Sequence, residues 1–279
     1  MSRTPPPGPA RQLQWRTPRR LFAGALLAAV ALTGCAGDAT SNAGGSGPGP
    51  SGAPVVTGTV TVFAAASLTG SFTQLGKDFQ KVNPGATVTF NFGASSALAQ
   101  QIVAGAPADV FAAASPATMK TVTDAGDAVA PQVFVKNRLQ IAVPPDNPGK
   151  VTGLADFAKA PLKIALCAAE VPCGAAATKV FTATGIKAAP DTLEQDVKAA
   201  LSKVQLGEVD AALVYRTDVL AAGDRVKGIA FPEADQAVND YPIAALADAP
   251  NAAAAKAFLA YVLSIEGQQV LAAAGFDSP

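Results

Sequence analysis

Histidine is absent from the 279 residues, and cysteine and tryptophan are scarce at three and one. Without histidine there is no Ser-His-Asp or Cys-His nucleophile, no imidazole general base and no His-ligated zinc. Three cysteines cannot build a structural zinc site of four thiolates. Charge is sparse as well: only 15% of residues are charged, and 21 basic side chains balance 21 acidic ones. That balance argues against a strongly basic nucleic-acid-binding protein. Long hydrophobic runs are also missing. The run at residues 21–32 is broken by Gly24 and falls short of the roughly 20 residues that span a bilayer. Apolar residues reach 49%, but much of this is alanine, so the positive mean hydropathy need not mean membrane spans. The length allows one large or two modest domains with a sizeable core.

The neutral total hides an asymmetry. Residues 1–34 carry Arg3, Arg11, Arg16, Arg19 and Arg20 and no acid, so the remainder has about 16 basic against 21 acidic groups. A basic stretch, a short apolar run and a small-residue end read as an export signal over residues 1–34. It closes on Leu32-Thr33-Gly34-Cys35, which resembles a bacterial lipobox, with cleavage before Cys35 and lipid on its sulfur. The plainer alternative is an ordinary signal peptide with an incidental cysteine. Arg19-Arg20 before Leu21-Phe22 loosely resembles a twin-arginine leader. Residues 35–54 then supply the lipidated cysteine and a Gly/Pro/Ser-rich spacer. That spacer has too few large apolar residues to offset its ordering entropy, so it is expected to be a disordered tether.

The pattern changes at Val55. Val60 and Val62 alternate with Thr61 as a strand, and Phe72, Leu75, Phe79 and Val82 then share one helical face. Val88, Phe90 and Phe92 form a second alternating strand; Ser95-Ser96 opens a helix with Leu98 and Ile102 four apart; Asp109-Val110-Phe111-Ala112 reads as a short buried strand. This β-α-β-α-β order favours a parallel sheet covered by helices. After a strand at residues 139–143, a second α/β series follows: a strand at 163–167, a helix at 172–184, a helix at 196–203 and a strand at 211–215. Short strands at 229–231 and 241–246 precede a last helix with Phe258, Val262 and Ile265 on its buried face. Two similar series suggest two lobes.

Several helix starts suit an anion, because a helix N-terminus offers free N–H groups and about half a positive charge. Ser67, Ser95-Ser96, Val171-Pro172-Cys173-Gly174 and Asp196-Val197 all sit there. Taken singly, capping is the commoner role for such residues. Taken together at sheet C-terminal ends, they mark the place where open α/β sheets bind ligands.

The segments Val62-Phe63-Ala64-Ala65-Ala66-Ser67-Leu68-Thr69, Phe92-Gly93-Ala94-Ser95-Ser96-Ala97-Leu98-Ala99-Gln100-Gln101-Ile102 and Gly105-Ala106-Pro107-Ala108-Asp109-Val110-Phe111 resemble the molybdate-binding proteins of ABC importers. Val171-Pro172-Cys173-Gly174, Glu194-Gln195-Asp196-Val197 and Leu213-Val214-Tyr215-Arg216-Thr217-Asp218 follow in the family's order. The resemblance implies an α/β, two-lobed type II periplasmic-binding fold, each lobe a mostly parallel sheet flanked by helices. It divides the chain into residues 55–136 plus 238–279 and residues 137–237, with two crossings as the hinge. It implies molybdate, or tungstate, in the cleft. The hydroxyl and N–H of Ser67 and of Ser95, the backbone N–H of Cys173 and of Val197, and the phenol of Tyr215 would hold it. The family usually has a small Ala-like residue at the Cys173 position, a change that a backbone contact tolerates. Neither cofactor nor enzymatic activity is implied. The implied partners are a membrane permease with its ATPase, with the protein a monomer, lipid-anchored on the extracytoplasmic face and free of nucleic acid.

Elementary chemistry agrees with those roles. A tetrahedral dianion offers only acceptors, so hydroxyls and N–H groups suffice and no cation need touch it. Lys198 and Arg216 are therefore expected to be solvated surface charges, and Asp109 a strand-edge or capping carboxylate. Cys167 and Cys173, six apart in an exported chain, are disulfide candidates; redox catalysis is the alternative, but the spacing is not Cys-x-x-Cys. The competing functions are a receptor for another small anion, such as sulfate, thiosulfate or an organic acid, and a secreted enzyme using the same cleft.

Overall fold

Val60 and Val62, alternating with Thr59 and Thr61, bury completely and lie in β1 (Gly58–Ala65), an inner strand of a five-stranded sheet. The computed structural model describes residues 56–279. The leader, Cys35 and the whole of the spacer lie outside the described residues. After β1, a single 3-10 turn (Ala66–Leu68) feeds α1 (Thr69–Val82), followed by β2 (Ala86–Gly93), α2 (Ser95–Val103), β3 (Val110–Ala112), α3 (Pro116–Asp124) and β4 (Gln132–Asn137). The chain then crosses to a second sheet through β5 (Leu139–Val143), β6 (Ile164–Cys167), α4 (Pro172–Thr184), β7 (Thr192–Glu194), α5 (Val197–Gln205), β8 (Ala211–Tyr215), α6 (Arg216–Ala222) and β9 (Lys227–Ile229). It returns to the first sheet as β10 (Asn239–Ala245) and ends with α7 (Ala252–Leu263) and α8 (Ile265–Ala273).

The strand orders are β2-β1-β3-β10-β4 and β7-β6-β8-β5-β9. In each sheet four strands run one way and one runs against them, β10 in the first and β5 in the second. The reversed strand is in both cases the one the chain enters immediately after crossing. Mostly parallel sheets are thus present, with a single antiparallel insertion that the sequence pattern does not reveal.

One face of the first sheet is filled by Phe72, Phe79, Phe134 and Phe258, all but fully buried. Their rings meet edge to face, Phe79 on Phe258 at 5.3 Å and Phe72 on Phe134 at 5.8 Å, a geometry worth about 0.5–1.5 kcal/mol per pair beyond burial. Phe63, Leu98, Phe111 and Met119 cover the other face. Two expected core positions do not hold. Val82 is 65% exposed at the end of α1, and Ile265 is 75% exposed. Ser264 breaks the last helical stretch and caps α8 by accepting from the Gly267 N–H, which swings Ile265 off the face that Phe258 and Val262 share.

Asp156 anchors the 3-10 turn Leu154–Ala158. One oxygen accepts from the N–H of Thr152 at 2.6 Å, the N–H of Gly153 at 3.2 Å and the Thr152 hydroxyl at 3.0 Å, and the other meets Lys159 Nζ at 2.5 Å. Burial alone would raise its pKa, but Lys159 and those donors outweigh it and hold the carboxyl at about 2, below the usual 3.8. A lowered carboxylate pKa contributes stability above the unfolded value and loses it as pH falls through the folded one. Asp156→Asn is expected to cost about 1–2 kcal/mol at neutral pH, discounted for the exposed lysine. Urea unfolding as a function of pH checks this. The gap to the unchanged protein should close as pH drops from about 4 towards 2; a gap independent of pH would refute the assignment.

Candidate anion-binding site

Five strand ends converge on one cavity. β1 leads into the turn bearing Ser67, β2 ends at Gly93 just before Ser95, β6 precedes the loop to Cys173, β7 precedes Val197, and β8 ends on Tyr215. All five residues line a small cavity of about 20 Å3, together with Ala66, Ala114, Pro172 and Asp196. A single water needs about 10–15 Å3 by that measure, so in this conformation the cavity is on the scale of a small ion. The site lies outside the carboxyl ends of parallel strands, where open α/β sheets present loops and helix starts.

Several lining residues are helix starts. Ser95 and Val197 are the first residues of α2 and α5, and Cys173 is the second of α4. N–H groups of a first helical turn have no partner within their own helix. Asp196 is the charged residue of the lining, and its position beside an anion site would be unfavourable if its carboxylate faced inward. Instead its Oδ1 accepts from the N–H of Lys198 at 2.8 Å and of Ala199 at 3.0 Å. It caps α5, and the Val197 N–H is not one of its partners. Pro172 at the first position of α4 lacks an N–H, and its fixed φ suits the helix start.

Side chains behind the lining set its chemistry. The Ala114 N–H donates to Ser95 Oγ at 3.0 Å. Asn239 Nδ2 donates to the Ala114 carbonyl and to the Tyr215 hydroxyl, both at 2.8 Å. Ser67 Oγ lies 2.9 Å from the Tyr241 hydroxyl, which accepts in turn from Asn137 Nδ2 at 3.4 Å. Burial, with Tyr241 and Asp218 nearby, pushes the Tyr215 phenol well up, so it stays a protonated donor. Burial raises Tyr241 too. The sequence reading missed Asn137, Asn239 and Tyr241 as site residues. Asn137 and Asn239 face each other across β4 and β10, a pairing that no local pattern announces.

Two other expectations are corrected. Lys198 and Arg216 are not solvated surface charges. Lys198 Nζ lies 2.8 Å from Oδ1 of the fully buried Asp218, in contact but off the line of a good hydrogen bond. Asp218 Oδ2 accepts from the Tyr215 N–H at 3.2 Å, so this pair ties the start of α5 to the end of β8. Arg216 reaches the Gly275 carbonyl and Asp277, the latter at 2.8 Å. Asp109 is structural: buried, it accepts from the N–H of Thr61 at 2.7 Å and of Asn251 at 2.6 Å. The sulfurs of Cys167 and Cys173 are bonded to each other, which closes the loop before α4. Among the described residues no cluster of three or more His, Cys, Asp or Glu could hold a metal ion.

Two mixed sheets, each with one reversed strand entered at a crossing, and a small cavity at their strand ends are the architecture of a solute-binding protein. Residues 60–277 match the family described as bacterial extracellular solute-binding protein, and the chain belongs to it. The molybdate-binding protein ModA of Mycobacterium tuberculosis is 41% identical over 221 residues, covering 79% of this chain and 85% of the relative. That of Haemophilus influenzae is 34% identical over 233 residues, covering 78% and 90%. The periplasmic molybdate-binding protein of Azotobacter vinelandii superposes with a TM-score of 0.68 at 23% identity, covering 79% of this chain and 99% of that one. A sulfate-binding protein of M. tuberculosis reaches the same TM-score, 0.68, at 17% identity, covering 79% and 86%. Backbone similarity at that level speaks for the fold and not for the choice of anion.

Proposed function

We propose that this protein captures molybdate, or tungstate, between its lobes and delivers it to a membrane permease driven by an ATPase. The observation that carries this reading is the cavity itself: small, and lined by hydroxyls and helix-start N–H groups with no lysine or arginine side chain in its wall. A tetrahedral dianion is made only of acceptors, and oriented dipoles suffice to bind it in a water-poor site. Curated relatives at 41% and 34% identity carry the name molybdate-binding protein.

In this reading Ser67 and Ser95 hold the anion from the first lobe, and Cys173, Val197 and Tyr215 hold it from the second. The lobes are residues 55–136 plus 238–279 and residues 137–237, hinged where β4 passes to β5 and where the chain returns into β10. Ligand then stabilises the closed form through contacts that the open form lacks. The chain works as a monomer, exported by its leader and tethered to the membrane by lipid on Cys35. Molybdate is its cargo, held through oxygens and without protein ligands to the metal.

Calorimetry with molybdate, tungstate, sulfate and phosphate tests the reading. Molybdate or tungstate should bind far more tightly than sulfate, which has the same charge but is smaller. Ser67→Ala and Ser95→Ala should each weaken binding by about 1–3 kcal/mol, the usual cost of removing a hydrogen bond to a charged partner. Unchanged affinity in both variants, or no heat with either metal oxyanion, would sink it.

A further inference from the structure

A hydroxyl can donate or accept, so a site built on three of them is not by itself selective for proton-free anions. In this protein the surroundings remove that freedom. A backbone N–H can only donate and a carbonyl can only accept, and two such fixed groups orient the asparagine amides. Asn239 directs an N–H at the Ala114 carbonyl, so its amide nitrogen faces that side and its second N–H points at the Tyr215 oxygen, 2.8 Å away. Asn137 accepts from the Arg138 N–H at its Oδ1, at 3.0 Å, so its nitrogen must face Thr217 and Tyr241. Tyr241, already accepting from Asn137, keeps a proton of its own that it can give to Ser67 Oγ, 2.9 Å away, a contact in which either hydroxyl can be the donor. Ser95 Oγ accepts the Ala114 N–H. The Ser95 and Tyr215 hydroxyls thus each accept a hydrogen bond from behind and keep a proton for the cavity, and Ser67 joins them when Tyr241 is the donor of their shared bond.

We infer that Asn137 and Asn239, paired across β4 and β10 at the two lobe crossings, are positioning residues that lock the site hydroxyls as donors, so that the cavity rejects oxyanions carrying a proton. Hydrogen phosphate brings an O–H that finds no acceptor in such a cage, and an unpaired buried donor is costly. A fully deprotonated metal oxyanion meets no such penalty. The two asparagines sit on the strands that join the lobes, so the same pair that fixes proton direction also fixes the hinge end of the cleft.

This inference rests on the proposed function, and its test separates the two. Affinities for molybdate and, by competition, for phosphate are measured on the full-length protein, on Asn239→Asp and on Tyr241→Phe, with thermal melts to confirm folding. Asn239→Asp replaces a donor with an acceptor. The Tyr215 proton then turns back towards the carboxylate, and the phenol oxygen lone pair faces the anion. Molybdate affinity should fall at least about 100-fold and the molybdate-to-phosphate ratio at least about tenfold. Tyr241→Phe keeps the ring but frees Ser67 Oγ to accept. Molybdate should weaken only severalfold while the ratio falls about tenfold. Mere loosening of the site would weaken both anions together and leave the ratio alone. An unchanged ratio in Tyr241→Phe overturns the inference, whatever Asn239→Asp does. If the unaltered protein binds no molybdate, the functional reading itself has failed.

Discussion

Replacing Gly174 with alanine is expected to abolish tight anion binding. Gly174 is the third residue of α4, next to Cys173, which lines the cavity and whose N–H is a proposed donor to the anion. A Cβ built there would sit 1.9 Å from the Ala168 carbonyl oxygen, 2.5 Å from its carbon and 2.7 Å from the Cys167 oxygen. These are backbone atoms, so no side chain can swing aside. The loop from Cys167 is closed by the bond between Cys167 and Cys173, which leaves little room to yield. The helix start must therefore move, and with it the Cys173 N–H. Overpacking of this kind costs about 1–3 kcal/mol of stability or more, and losing one aligned donor costs a similar amount in binding. Together they should weaken molybdate by at least about 100-fold. Gly70, in α1, is the control: nothing lies within 4 Å of its added Cβ, so Gly70→Ala should be neutral or slightly stabilising. Calorimetry and thermal melts on both variants decide it. A Gly174→Ala protein that binds like its parent would show that the start of α4 does not contribute to the site.

Lys198→Met should produce the larger loss of stability. Asp218 has no exposed side-chain surface, and Lys198, one third exposed, is its counter-ion at 2.8 Å. Removing one partner of a buried pair costs about 3–5 kcal/mol; because Lys198 is partly solvated, about 2–4 kcal/mol is expected here. Burial already raises the Asp218 pKa, and Lys198 is the main force opposing that rise. Without the lysine it should rise further. A carboxyl with a raised folded pKa favours the folded state at low pH and loses that advantage as pH climbs through the folded value. The deficit of Lys198→Met relative to the parent should accordingly be largest at neutral pH and shrink on acidification. Adding Asp218→Asn should restore much of the loss, because the amide still accepts the Tyr215 N–H without a charge. Urea unfolding of the single and double variants across pH measures this. A deficit that does not depend on pH and is not relieved by Asp218→Asn would point to lost packing alone.

Much of the architecture was legible because its signals are local. Phe72, Leu75 and Phe79 mark a helical face, Gly185 in the left-handed region (φ 69) ends α4 where expected, and serines after short apolar strands mark helix starts. The five candidate site residues share this property: each ends or follows a strand in sequence, and in the structure they meet at one cavity. What stayed hidden depends on distant partners. β7 and α3 are short, and β4 alternates weakly. The reversed strand in each sheet follows from the crossings, which no periodicity encodes. Val82 and Ile265 obey helical spacing but fall where the helix ends. Lys198 and Arg216 look like ordinary surface charges until Asp218 and Asp277, 20 and 61 residues away, are folded against them. Asn137 and Asn239 have no meaning singly, since their role comes from being opposite each other.

The placement of β10 has a consequence for how the molecule is made. This strand lies between β3 and β4 and is the only neighbour of β4 in its sheet, yet it is synthesised after every strand of the other sheet. The early sheet must therefore wait with a gap between β3 and its edge strand β4 while the later one, contiguous in sequence, can finish. Closing that gap is a long-range event with the slow kinetics such events carry. During synthesis the second sheet can thus be completed first, and the site is whole only once β10, which carries Asn239 and Tyr241, has been added to the first.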